Sequence, residues 1–219
     1  MAITSKEKAV GIIHASAVAY GTNLSGRNVL FVAGGSDKPD CYEMLFLPQN
    51  FLHLTGMRTS LNSEAFYRTA LNKGLSPSSI EYDPGGTSEI KLEILPRIMT
   101  IHKTARMIGL YDNSRPLLVA DRFAGTVTMA MGFICIDGLY RPNTALKIDV
   151  RDITEKATRQ AIAAIFVKLR GDSLYSQLTY IAKGMTINDE VFAPVLREKV
   201  DMQNLTGIPT PQKIDCFCV

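Results

Sequence analysis

The chain has 219 residues, of which 46% are hydrophobic and 21% are charged, and its net charge is +3. This balance is typical of a folded globular protein and excludes a disordered, collagen-like or membrane-bundle chain. No apolar run is long enough to span a bilayer, so we expect no membrane as a partner. The small net charge does not identify a partner, so any nucleic-acid site must be found in local clusters of charge.

The first predicted element is a helix near the amino terminus. Apolar residues repeat there on one face at helical spacing, namely at Ala9, Val10, Ile13, Ala17 and Tyr20. The alternative is a signal peptide, because lysines precede a small-residue stretch. Glu7 and His14 interrupt that second pattern, and we therefore prefer a packed amphipathic helix.

The rest of the amino-terminal half mixes short strands with helices. Alternation in Phe51–Thr55 predicts a strand with His53 and Thr55 on one face, and Pro96 is expected to divide a later helical stretch, because proline cannot sit inside a helix. The predicted elements are strands over Val29–Ala33, Tyr42–Leu47 and Phe51–Thr55, a helix over Ser63–Lys73, and two helical pieces between Ser88 and Gly109.

In the carboxyl-terminal half the apolar period changes to two. Asp137-Gly138 is a dipeptide typical of a tight hairpin turn between two alternating segments. An antiparallel meander after a helical half predicts an α+β fold. The predicted strands are Thr126–Ile136, Leu139–Arg151, Ala163–Leu169 and Leu174–Ala182, followed by an aperiodic tail.

The four cysteines favour a reduced, cytoplasmic protein without a structural metal. They are widely spaced, with no C-x-x-C pair and no histidine cluster to complete a zinc site. The last four residues, Cys216 to Val219, match a prenylation box only loosely, and no polybasic run precedes them. We expect neither a metal nor a cofactor.

A basic face and a histidine are the candidate functional features. Between Arg141 and Arg170 there are seven lysines and arginines against three acidic residues. If the last three strands are neighbours, their polar faces combine cations with rings, an arrangement that binds RNA through phosphates and stacked bases. The predicted RNA-binding residues are Phe166, Lys168, Arg170 and Tyr175. The simpler alternative for the basic face is a solvated sheet surface whose lysines and arginines supply solubility. The simpler alternative for His53 is a strand histidine that makes one structural hydrogen bond.

Several segments, in the same order, resemble a phage- and mobile-element-associated nuclease family of the barnase, EndoU, colicin and RelE superfamily. The resemblance covers about Tyr42 to Gly184 and includes Asn50 to Gly56, Phe66-Tyr67, Ala70 to Lys73, Glu89 to Leu92, Leu95-Pro96, Ala105 to Gly109, Pro142 to Lys147, Val150 to Thr154 and Leu178 to Gly184. It suggests an extension over residues 1–41, a nuclease-like domain over 42–184 and a tail over 185–219.

The resemblance implies amino-terminal helices, a four-stranded antiparallel sheet, and a metal-independent endoribonuclease site on the face of that sheet. The residues within the matching segments are His53, Thr55, Lys147, Arg151 and Thr179. In this hypothesis His53 is the general base or acid for attack by the ribose 2′-oxygen, Lys147 and Arg151 hold the phosphate, and Thr179 orients it. RNA is then the partner, with an inhibitor or a phage or host protein as a further one.

Two alternatives remain open at this point. One is a binding module for nucleic acid or protein that uses the same basic face without catalysis. The other is an enzyme of the ADP-ribosyltransferase type, in which a strand histidine beside a hydroxyl holds nicotinamide-ribose. A comparison of RNA and NAD as stabilising ligands distinguishes them, because only a ligand of the folded state raises its stability.

Overall fold

The chain mixes helices and strands in an α+β arrangement. The computed structural model describes residues 5–34, 39–114, 118–185 and 193–207, with backbone only for 193–195. The helices within that part are α1 (Lys6–Asn23), α2 (Phe51–Thr55), α3 (Ser63–Leu71), α4 (Thr87–Ile98), α5 (Ile101–Thr104), α6 (Val150–Ile153) and α7 (Ala193–Lys199). The strands are β1 (Arg27–Gly34), β2 (Asp40–Phe46), β3 (Met57–Arg58), β4 (Glu81–Tyr82), β5 (Met107–Leu110), β6 (Arg122–Gly125), β7 (Ala130–Ile136), β8 (Leu139–Leu146), β9 (Gln160–Leu169) and β10 (Gln177–Ile181).

The main sheet closes on itself as a barrel. Its strand order is β1-β2-β8-β7-β6-β5-β9-β10, and β1 also pairs with β9, which closes the first seven strands of the row into a ring and leaves β10 paired with β9 outside it. Most pairings are antiparallel, but β2 meets β8 in parallel at Met44 and Tyr140. β3 and β4 form a separate two-stranded ribbon in which Arg58 lies opposite Glu81.

β1 is buried on both faces, which explains its unbroken apolar run. Val29, Phe31 and Ala33 contribute to the large core shared with the helices. Leu30 and Val32 instead pack in a smaller cluster with β9, β10 and α7. A strand covered on both sides has no solvent face, so a continuous apolar run replaces alternation.

α1 is the packed helix that the sequence predicts. The Ser5 hydroxyl accepts a hydrogen bond from the Lys8 amide and caps the first turn. The buried face carries Ala9, Ile13, Ala17 and Tyr20, all fully inaccessible to solvent. The Tyr20 hydroxyl donates to the Leu47 carbonyl at 2.9 Å, so its polar end is satisfied inside the core.

The predicted hairpin between β7 and β8 is confirmed. Asp137 and Gly138 both have positive φ, 53° and 79°, as the two central residues of such a turn require. The strands are shorter than predicted, because β7 begins at Ala130 and β8 ends at Leu146. Residues 147–151 therefore leave the sheet, and Arg151 lies in helix α6 instead of on a strand.

Two expectations about the stretch from Ser88 to Gly109 are wrong. α4 continues through Pro96 to Ile98, because proline in the last turn costs only one backbone hydrogen bond while the flanking Leu95 and Ile98 are fully buried. The second helical piece ends early, at Thr104. The chain then extends, and Met107–Leu110 pairs with β6 as strand β5.

The predicted meander of the last strands is also wrong. β8 and β9 are not neighbours, since β2 and β1 lie between them on one side of the barrel. β9 pairs with β1 along most of its length, from Leu169 to Ala161. The continuous polar face expected across these strands therefore does not form.

No described helix is long and apolar enough to cross a membrane.

Cys41 and Cys135 form no disulfide. In the predicted tail, the Thr206 amide donates to the carbonyl of Ser176, whereas Cys216 and Cys218 lie outside the described residues.

Gly125 permits the close turn between β6 and β7. A Cβ atom there would lie 2.2 Å from the Met129 carbonyl oxygen and 2.8 Å from the Ala130 Cα, both backbone atoms that cannot rotate away. We expect Gly125→Ala to lower the free energy of unfolding by about 3 kcal/mol. Gly11→Ala is the control, because that helical position has no atom within 4 Å of the added methyl group. It should raise stability by about 0.5–1 kcal/mol.

Urea denaturation of both variants beside the parent chain measures the two changes. Equal stability of Gly125→Ala and the parent would contradict the close β6–β7 turn.

Candidate active site

The first wall of the candidate site is α2 and the turn that follows it. Phe51, Leu54 and Thr55 face the core, while His53 is exposed on the opposite side. The prediction of a strand here is wrong, so His53 and Thr55 do not share a face. The Thr55 hydroxyl is buried, donates to the Leu52 carbonyl and accepts from the Met57 amide, which fastens the end of the helix.

α2 ends at Gly56, where the close approach of α4 requires glycine. Gly56 has φ of +67°, and a Cβ atom would lie 2.8 Å from the Lys91 Cδ and 3.3 Å from the Ser88 Cα. The buried Ser88 hydroxyl donates to the Gly56 carbonyl and accepts from the Asp83 amide at 2.8 Å. The start of α4 is therefore fixed against the end of α2.

These elements and β8 enclose a cleft of about 500 Å³. Its polar wall carries two cations, a carboxylate, a histidine, two hydroxyls and an amide, and its apolar wall comes from α2, β3, α4, β8 and the segment before β6. The lining residues are Leu52, His53, Gly56, Met57, Arg58, Asp83, Thr87, Ile90, Lys91, Leu118, Asn143, Thr144, Ala145 and Leu146. A mainly apolar cleft with a few converging polar groups is the usual form of a small-molecule or catalytic site.

Lys91 lies beside His53 and affects its protonation. The Lys91 ammonium donates to the His53 carbonyl oxygen at 3.1 Å. Partial burial and the Lys91 charge both lower the pKa of His53 below its ordinary value of 6.5. Burial also lowers the pKa of Lys91, against the opposing effect of Asp83. At neutral pH His53 is therefore an uncharged imidazole that can accept a proton, beside a cation.

Arg58 and Asp83 form an ion pair at the edge of the cleft. The guanidinium Nη2 lies 2.9 Å from the Asp83 Oδ1, and the Nε donates to the same oxygen at 3.1 Å. Desolvation alone would raise the pKa of Asp83, but hydrogen bonds from the Gly85 amide and Arg58 lower it. Asp83 thus stays ionised and orients Arg58, whose side chain is 61% exposed and accessible to a ligand.

The other predicted catalytic residues lie away from these groups. Lys147 follows the last cleft residue of β8, and its ammonium pairs with Glu93 at 2.5 Å. Arg151 pairs with the neighbouring Asp149. The Thr179 hydroxyl donates to the backbone carbonyls of His102 and Ile165, so its hydrogen bonds link parts of the fold. Of the five predicted residues, the structure brings only His53 into the cleft.

The predicted RNA-binding rings are covered. Phe166 and Tyr175 are 0% and 1% exposed and pack beneath α7, so neither can stack on a base. Lys168 lies 3.7 Å from Glu43 and over the Tyr175 ring. Arg170 is exposed after the end of β9, outside the cleft. The placement of Phe166 and Tyr175 on a nucleic-acid face was wrong because the sheet is covered there on both sides.

Within the described ranges, no group of three or more histidine, cysteine or acidic side chains is arranged to hold a metal ion.

His102 differs from His53 in being enclosed. It is 7% exposed, and its Nδ1 has no hydrogen-bond partner in the described part of the chain. Burial, together with the charges of Lys103 and Arg27, lowers its pKa to about 4. The unfolded chain then binds this proton at higher pH than the folded protein does.

We therefore expect the free energy of unfolding to fall as the pH drops from about 6.5 to about 4, with His102 contributing about 3 kcal/mol of that loss. Urea titrations of the parent and His102→Gln at several pH values measure it. The variant should lose less stability over this range, and equal losses would show that His102 has no part in them.

Comparison with known proteins identifies the family. The family model described as phage-Barnase-EndoU-ColicinE5/D-RelE like nuclease 4 matches residues 12–184. The chain belongs to this family. The matched range includes all of the cleft residues and confirms the resemblance found in the sequence. No curated protein and no solved structure is detectably similar to the chain.

Three polar residues of the cleft were not predicted from the sequence, namely Arg58, Asp83 and Lys91. The pattern Asp83-Pro84-Gly85-Gly86 before a helix was a usable signal, because aspartate and glycine commonly organise a helix start.

Proposed function

We propose that the protein is a metal-independent endoribonuclease whose active site is the cleft around His53. The observation that carries the proposal is the meeting of an uncharged histidine with Lys91 and Arg58 in one cleft of a chain from a nuclease family. RNA cleavage without a metal needs a base for the ribose hydroxyl and cations for the phosphate, and these groups supply both.

In the proposed reaction His53 removes the proton from the 2′-hydroxyl, whose oxygen attacks the adjacent phosphorus. The bond from phosphorus to the 5′-oxygen breaks, leaving a 2′,3′-cyclic phosphate. Lys91 and Arg58 stabilise the charge that grows on the nonbridging oxygens, and the Lys91 ammonium donates a proton to the departing 5′-oxygen. The lowered pKa values of His53 and Lys91 suit them as base and acid respectively.

The surroundings of these groups favour precise positioning. Asp83 holds Arg58 by two contacts to one oxygen. The Ser88 hydroxyl links the α2 and α4 walls. Catalytic side chains held by rigid neighbours lose less entropy on binding substrate, so this arrangement is suited to the proposed reaction.

The proposal predicts that the purified protein cleaves single-stranded RNA in excess EDTA. The product should carry a 2′,3′-cyclic phosphate, because the ribose oxygen and not water is the nucleophile. An RNA panel of varied sequence, with 3′-end analysis by mass spectrometry, provides the test. DNA of the same sequence is the control and should remain intact, since it lacks the attacking hydroxyl.

Intact RNA across the panel, or cleavage that stops on chelation, would contradict a metal-independent ribonuclease. Binding without cleavage would favour the alternative of a nucleic-acid-binding module without catalysis.

A further inference from the structure

A second cavity adjoins the cleft on the other side of Arg58. Its volume is about 330 Å³, and it is lined by Arg58, Thr59, Ser60, Ser78, Ser79 and Glu81. Arg58 lines both spaces. Two of the lining residues, Arg58 and Glu81, lie opposite each other on the paired strands β3 and β4. Arg58 is therefore the residue through which a ligand in one cavity would be close to the other.

The two cavities have different charge. The cleft holds Lys91 and Arg58 against one carboxylate, Asp83, and therefore favours an anion. The second cavity contains Arg58 and Glu81, which lie opposite each other in the β3–β4 ribbon. The Arg58 guanidinium forms its ion pair with Asp83. Among the described residues Glu81 has no ion-pair partner, so its carboxylate disfavours a phosphate in that space.

The remaining wall of the second cavity is neutral and rich in hydroxyls. The Thr59 hydroxyl donates to the Ser79 carbonyl at 2.8 Å, and the Ser76 and Ser78 hydroxyls share a hydrogen bond of the same length. A hydroxyl engaged as a donor still has lone pairs with which to accept. With the Glu81 carboxylate, this wall presents acceptors to a neutral ligand that carries N–H or O–H groups.

We propose that the second cavity binds the nucleoside next to the phosphate held in the cleft, through the N–H donor groups of its base. The substrate is then an extended single strand, because a base paired in a duplex has its donors occupied. This inference rests on the proposed function in taking RNA as the ligand. Its test measures binding and does not depend on cleavage.

The experiment uses a ladder of 2′-fluoro oligonucleotides, which lack the attacking hydroxyl. Dissociation constants are measured for a mononucleotide, a dinucleotide and trinucleotides extended on either side. One added nucleoside should tighten binding about 10- to 100-fold, the gain typical of hydrogen bonds to a charged group. Glu81→Gln and Ser60→Leu, which remove the charge or fill the space, should reduce that step to less than about 3-fold.

Glu7→Gln removes an exposed carboxylate from α1, outside both cavities, and should leave the whole ladder unchanged. A ladder without a step, or a step that both cavity variants retain, would overturn the second subsite even if RNA is cleaved. A step that both variants lose, found in a protein that cleaves no RNA, would support the subsite while contradicting the nuclease mechanism.

Discussion

His53→Ala should lower kcat/KM for RNA cleavage by about 10²- to 10⁴-fold, the usual contribution of a general base. The side chain is exposed on α2, outside the core, so the variant should fold with nearly the parent's stability. Because partial burial and the Lys91 charge lower the pKa of His53 below 6.5, the parent's rate should rise with pH along an acid limb whose midpoint lies below that value. The variant should lack this acid limb.

The matched control is His14→Gln. The His14 Nδ1 bonds to the Ala70 carbonyl far along the chain, a contact that glutamine can also make, and it does not line the cleft. Cleavage by this control should stay within a factor of about two. A His53→Ala protein with the parent's rate and pH profile would rule out His53 as the base.

Lys91→Met should lower kcat for RNA cleavage by about 10²- to 10³-fold, the cost of removing a donor that stabilises transition-state charge. Methionine preserves most of the apolar stem that packs near Gly56, while it removes the ammonium. The same change should raise the pKa of His53, because the Lys91 charge is one of the two causes of its lowering. The acid limb of the rate profile should therefore move to higher pH.

Lys156→Met serves as control, since Lys156 is exposed in the turn before β9 and lies outside the cleft. Single-turnover kinetics of both variants over a range of pH measure the rate and the shift together. If Lys91→Met slowed cleavage no more than Lys156→Met, the phosphate site would have to lie elsewhere.

The parts of the fold that local sequence determines were predicted well. The hairpin at Asp137-Gly138 needs two positive φ angles, which this dipeptide adopts readily. The face of α1 follows from a regular spacing of apolar residues. Phe51–Thr55 is different, because five residues fit both an alternating strand and a single helical turn. Its helix is decided by Gly56 and by α4, which contacts it from more than 30 residues away.

The site could be predicted only in part, because it is assembled from distant segments. His53, Arg58 and Lys91 meet through the α2–α4 contact, which no local pattern reveals. Phe166 shows the opposite failure. Its alternation within β9 is real, but α7 covers the face that alternation would leave to solvent. The apolar alternation of a strand does not distinguish a face exposed to solvent from a face covered by a later segment of the chain.

The proposed mechanism requires the cleft around His53 to bind the reacting phosphate. NMR of the three histidine rings, recorded over pH with and without a 2′-fluoro dinucleotide, reports on that binding at the ring itself. The ligand should shift the His53 signals and raise the pKa of that ring, since a phosphate anion favours the imidazolium form, while the His14 and His102 signals stay in place. Saturable binding that leaves His53 and its pKa unchanged would place the phosphate outside this cleft.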